Sequence, residues 1–247
     1  MAKKKPKKLL GKASSRSKAS MDEKIKEDKK ISGIVKELEA AFVKIRFYPV
    51  ASSEKEKNEA RKKILSQYKK GDNTSRQLIL YMFHENLAHT AGMKLMQNFE
   101  FFKRKFPNIE PPKVRMQVYR AMFHYDNSLE GVIELVGMLG EMEGDDAAKL
   151  LSYHLSFSVN AEFEINHILR NAIIEALGES NSLYSLNVLM SYAKYAENEK
   201  MLQRIAAALS NWNRKIDTLK IPEREKEKVR RKLDEVLTSE FMGSHYG

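Results

Sequence analysis

The sequence predicts an all-α protein, and three observations carry that prediction. Apolar residues recur at three- and four-residue spacing from about Met21 onward, which gives each segment one stripe to bury on a helix. No run of alternating β-branched residues marks a strand. Prolines and glycines fall largely between the periodic segments, as at Pro49, Gly71, Pro107, Pro111-Pro112, Gly144, Gly178 and Pro222, where they act as punctuation.

In chain order, residues 1–20, "MAKKKPKKLLGKASSRSKAS", hold eight Lys or Arg and no acid. With almost no bulky apolar side chain to bury, this segment reads as a disordered basic tail. Residues 21–241 read as one helical domain and 242–247 as a short disordered C-terminal tail. The periodicity places helices at about 22–47, 54–70, 74–88, 91–105, 112–125, 128–142, 145–158, 161–177, 182–196, 199–214 and 222–240. Capping residues stand at several of the starts: Asp72, Asn73 or Thr74, then Asn127-Ser128, then Asn181-Ser182. Pro112 occupies a first-turn position, where its missing N–H costs nothing.

Part of the chain repeats itself. "VRMQVYRAMF" at 114–123 aligns with "LRNAIIEALG" at 169–178. Val114 falls on Leu169, Arg115 on Arg170, Val118 on Ile173, Ala121 on Ala176 and Met122 on Leu177. Each stretch leads through a short linker into Asn-Ser-Leu, at 127–129 and 181–183, and then a second apolar helix. "SRQLILYMF" at 75–83 repeats the pattern through Arg76, Ile79, Met82 and Phe83, and "MLQRIAAALS" at 201–210 through Ile205, Ala208 and Leu209. A hairpin of this size cannot bury its stripe alone and needs a neighbour on each side.

These residues resemble the HEAT-repeat, armadillo-like α-solenoids, whose hairpin has an apolar-Arg pair, then Ala-Leu-Gly, a turn and a second helix with spaced leucines. Arg170, Ala176-Leu177-Gly178 and Leu183, Leu186 and Leu189 fit that pattern best, and the likeness covers about 75–215. It implies an α-solenoid of stacked antiparallel hairpins, in which Arg170 ties one repeat to the next. The helix at 145–158 falls outside the alignment, as an insertion or a degenerate repeat.

The net charge of +11 is unevenly placed, for residues 129–200 hold 4 basic and 12 acidic residues between basic ends. Two binding surfaces follow as expectations. A nucleic acid would meet Lys3, Lys4, Lys5, Lys7, Lys8 and Lys12 of the tail, together with Arg61, Lys62, Lys63, Lys69 and Lys70 of the basic helix 60–70. A basic protein partner would meet Glu141, Glu143, Asp145 and Asp146 in "EMEGDD".

Chemistry finds little anchor. No cysteine is present, so thiolate metal sites and disulfides are excluded. "HENLAH" at 84–89 spaces its histidines five apart, about 140° around a helix and not on one face. "EINH" at 164–167 has the spacing of a di-iron helix but lacks the second copy such a site needs. Neither a Walker loop, a G-x-G-x-x-G nor a G-x-S-x-G occurs. Trp212, beside Arg214 and Lys215, either stacks on a base or packs in the core. No apolar run approaches the roughly 18 residues that span a bilayer, so the default location is cytoplasmic, and "KKKPKK" doubles as a nuclear-import signal in a eukaryote. The expected function is a non-enzymatic scaffold without cofactor or metal that holds a protein partner. The alternatives are a nucleic-acid or ribonucleoprotein binder and an enzyme resembling the HEAT-like DNA glycosylases.

Overall fold

A computed structural model describes residues 11–46, 48–49, 52–90, 129–159, 164–196 and 198–242. The helices expected at 91–105 and 112–125, the repeat at 114–123 and residues 1–10 and 243–247 lie outside the described residues. Among those described, every regular element is helical.

The first helix, α1 (Gly11–Arg46), starts inside the segment expected as a disordered tail, so helical backbone takes in residues 11–20. After Pro6 that stretch lacks a helix breaker beyond Gly11, and its alanines, lysines and serines extend the helix begun by the apolar positions downstream. Next comes α2 (Glu54–Lys70), opened by a capping box in which Ser53 accepts from the Glu56 amide and Glu56 accepts from that of Ser53. In α3 (Asn73–Thr90), Asp72 Oδ1 accepts from the Ser75 amide at 2.8 Å, as its capping position predicts. There follow α4 (Leu129–Glu141), α5 (Asp145–Val159), α6 (Glu164–Glu179), α7 (Leu183–Ala193) and α8 (Glu199–Lys215), and after a short 3-10 turn α9 (Glu223–Met242). Ser182 and Asn198 cap α7 and α8, their side chains accepting from the amides of Tyr184 and Met201.

The helices pack in two rows. One row runs α1, α4, α6, α8, and the other runs α3, α5, α7, α9, each helix touching the one before it in its row. Consecutive helices from α4 to α9 also touch across the rows, while α2 packs on α1 and α3. One continuous apolar core runs through both rows, from Ile31 and Val35 to Leu209 and Leu233. Tyr81, Met82 and Phe83 belong to it. Met93, Met96, Phe99, Phe101 and Phe102 lie outside the described residues.

Two helices share one pattern of burial. In α4 the buried positions are 131, 132, 135, 136, 138, 139 and 140, with Met142 just beyond; in α6 they are 169, 170, 173, 174, 176, 177 and 178, with Ser180 just beyond. The two patterns coincide 38 residues apart, with Leu139-Gly140-Glu141 matching Leu177-Gly178-Glu179. Helix α5 follows α4 as α7 follows α6, each touching the helix before it. The shared feature is close approach between helices of one row. A Cβ on Gly140 would stand 2.7 Å from the Ala176 carbonyl oxygen, and one on Gly178 would stand 2.9 Å from the Ala208 Cβ. Gly178 is thus a contact residue inside α6, which ends one residue later, and not the breaker between two helices.

Cations from neighbouring helices close two helix ends. Arg76 of α3 donates to the carbonyls of Tyr68 and Lys69 at the end of α2, at 3.0 and 3.1 Å. Lys215 of α8 donates to Gly178 and Glu179 at the end of α6, at 2.9 and 2.5 Å. Each satisfies carbonyls that have no partner within their own helix and meets the negative end of the helix dipole. Trp212 is fully buried and donates its indole N–H to the Leu177 carbonyl at 3.2 Å, so it packs and offers no face to a base. Arg170 is buried as well, with Nη1 4.0 Å from Met201 Sδ on α8.

Candidate functional site at the junction of the basic helix and the acidic turn

Parts of the basic helix and of the acidic turn, expected to bind different partners, face each other. On α2, Lys57, Arg61 and Leu65 fall about one turn apart on the side that looks at α4 and the turn after it, with Lys69 at the solvent edge of that side. Lys57 lies 3.6 Å from Glu134 and 3.1 Å from Glu54. Arg61 donates through Nη1 to Glu134 at 2.5 Å and through Nη2 to Glu141, so one guanidinium joins two carboxylates a heptad apart on α4. Lys69 meets Glu143 at 3.0 Å. Burial by itself would lower the Lys57 pKa, but Glu54, Glu134 and Tyr48 outweigh it and hold the ammonium above its ordinary range.

Between the end of α2 and the α4–α5 turn lies a cleft of about 170 Å³, lined by Leu65, Tyr68, Lys69, Arg76, Glu141, Met142 and Glu143. Burial pushes the Tyr68 phenol up to about 12, with the Asp146 charge adding to the effect and Arg76 opposing it. A phenol held neutral this way is no general base near neutrality.

The other two acids of the turn are engaged locally. Asp145 Oδ1 accepts from Ser182 Oγ at 2.5 Å, which ties the start of α5 to the capping residue of α7. Asp146 pairs with Lys149 at 3.1 Å. All four residues expected to meet a basic partner thus have partners within the chain. Of the basic residues, Arg61 and Lys69 are engaged as above and Lys63 pairs with Glu37 at 3.5 Å. Lys62 and Lys70 are exposed and make no ion pair with a described residue. Lys12 lies in α1, and Lys3, Lys4, Lys5, Lys7 and Lys8 lie outside the described residues.

A buried histidine pair, which sequence reasoning missed, joins α3 to α5. His84 Nδ1 and His154 Nε2 are 3.1 Å apart and both rings are buried, with Tyr153 edge-on to His154. Burial drives the His84 pKa down to about 4 and, with His84 adding to the effect, holds His154 well below the usual range. One neutral ring donates and the other accepts. The two residues lie 70 apart in sequence, and nothing local marks His154 as the partner of His84. His167 of "EINH" is exposed, and no group of three His, Asp or Glu that could hold a metal occurs among the described residues. No described helix is long and apolar enough to cross a membrane.

No family model matches the chain, and no curated protein or solved structure is similar to it.

Proposed function

We propose that the chain is a non-enzymatic α-solenoid of HEAT-like hairpins that serves as a scaffold for a protein partner. The observation that carries this reading is the coincidence of burial between 131–142 and 169–180, since like units stacked side by side are what such scaffolds are made of. The stacking leaves one stripe of each helix facing outward. On α4 that stripe holds Ile133, 40 % exposed, and Gly137, where a Cβ would meet nothing within 4 Å. On α6 the equivalent positions hold Asn171 and Glu175, with the half-buried Ala172 alongside. Small residues and one exposed isoleucine make a shallow floor onto which a partner's apolar side chains fit, and this is the face we assign to the partner.

The test is capture of a protein by the full chain before and after nuclease treatment, repeated with Ile133→Glu. A scaffold keeps its protein partner after nuclease and loses it in the variant, while the melting temperature stays unchanged. Release of all captured protein by nuclease would sink the scaffold reading, and capture undiminished by Ile133→Glu would move the binding face elsewhere.

A further inference from the structure

The cations of α2 sort by the direction they face. Those directed at α4 and α1 have carboxylate partners: Lys57 and Arg61 with Glu134 and Glu141, and Lys63 with Glu37. The solvent side is different. Lys55, Lys62 and Lys69 follow one another at seven-residue intervals, so they drift by only about 20° and step by about 10.5 Å along the helix. Lys70 stands beside the last of them. Lys55, Lys62 and Lys70 are exposed and have no ion pair to a described residue, and the Lys69–Glu143 pair is itself about 70 % exposed on both sides. Such an exposed pair holds weakly and yields its ammonium to a competing anion. Glu59 is the one carboxylate on the stripe, and Ser66 fills the remaining gap.

The stripe carries no apolar side chain, because Ala60, Ile64 and Tyr68 are buried and Leu65 faces the cleft. That composition chooses among anionic partners. A membrane-surface helix inserts apolar residues between its lysines. A protein interface surrounds its charges with an apolar centre. A bare line of ammonium groups about 22 Å long suits a polymer of regularly repeated charge, to which lysine offers a point charge without fixed geometry. We infer that the solvent-facing stripe of α2, Lys55, Lys62, Lys69 and Lys70, is a docking line for the phosphate backbone of a nucleic acid. Nothing on the stripe reads a base edge, so binding is independent of sequence. The inference goes beyond the scaffold reading and does not depend on it.

The experiment uses the full chain and a single-stranded oligonucleotide of mixed sequence, with affinity followed by fluorescence anisotropy across a salt series. The triple variant Lys55→Gln, Lys62→Gln, Lys70→Gln is compared with the parent and with Lys200→Gln, Arg214→Gln, Lys220→Gln. The second variant makes the same charge change at exposed positions distant in sequence. Each phosphate contact on a single strand contributes about −0.7 to the slope of log affinity against log salt. The α2 variant is therefore expected to flatten the slope by about 2 for every sequence tried, while the distant variant leaves it where it was. The triple Lys→Arg variant at 55, 62 and 70 should keep the parental slope. Lysines of residues 1–10 are present in all four proteins and cancel. An unchanged slope in the α2 variant, an equal flattening in both Gln variants, or no binding by the parent at low salt overturns the inference. So does polyglutamate of equal charge binding as tightly as the oligonucleotide.

Discussion

Helices α6 and α8 carry matching buried residues, and where they differ shows what position does. They align 32 residues apart, Ile173 on Ile205, Ala176 on Ala208 and Leu177 on Leu209, and all six of these are buried. A second stripe diverges. Arg170, Ile174 and Gly178 of α6 are buried, whereas at the matching places in α8 Leu202 and Ala206 are half-buried and Ser210 is exposed. That stripe is the face which α8 covers on α6, and α8 has no further helix of its own row beyond it among the described residues. An apolar side chain is therefore not in the core because it is apolar. It is there because another helix follows.

The comparison can be broken most sharply with leucines. Leu177→Ala removes a fully buried side chain and is expected to cost about 2–5 kcal/mol, read as a lower urea midpoint with an unchanged slope. Leu202→Ala, on the uncovered stripe, should cost about 1 kcal/mol or less. Equal losses would show that α8 is covered as fully as α6.

A further interior feature is readable through pH. His84 has a folded pKa of about 4, below its ordinary 6.5, so the unfolded chain binds more protons between those values and stability falls as pH drops from 6.5 to 4. The loss from His84 alone should approach about 3 kcal/mol at the lower end, and His154 acts in the same direction. A urea midpoint that does not fall over this range, or falls as steeply in the double variant His84→Leu, His154→Leu, would show that the pair is not sealed.

The glycine of the row contact gives a smaller effect. Gly178→Ala forces a methyl against Ala208 and should cost about 1–3 kcal/mol despite alanine's better helix propensity. Ser210→Ala, at the matching place in α8, should change stability by no more than about 0.5 kcal/mol. The smallest effect belongs to the ion pairs. Arg61→Gln should cost about 1 kcal/mol at low salt and less in 1 M salt, where charges are screened beyond about 3 Å, while Lys62→Gln should cost nothing measurable.

Helix existence and most helix ends were legible in the sequence, because caps and periodicity are local. The segment 54–70 coincides with α2, and Ser182 caps α7 where the sequence places it. The shared burial of α4 and α6 was less legible. No arginine marks the match between α4 and α6, for Val132 occupies in α4 the place of Arg170 in α6, and both are buried. The informative residues were the glycines, whose role depends on Ala176 and Ala208 of the next helix and so on contacts between elements. The contacts between the basic helix and the acidic turn were illegible for a related reason. Counting charge by segment separates Arg61 from Glu134 and Glu141, which stand 73 and 80 residues further on and fold against it. Of the charges expected to meet separate partners, Arg61 pairs with Glu141 and Lys69 with Glu143.

The last helix has a bearing on self-assembly. A stack of like units ends in a surface shaped for one more, and a second copy added there would repeat the contact without closing, which is the route to filaments. In α9, Leu233 is buried, while Arg224, Glu225, Glu227, Lys228, Arg231, Lys232, Asp234 and Glu235 point to solvent. Several of these pair along the helix, as Lys228 with Glu225 and Arg231 with Glu235. Any copy approaching this end must strip water from a dense mixed-charge surface and finds no apolar stripe to cover. The charged outer face of α9 thus disfavours its burial against a second copy of the chain.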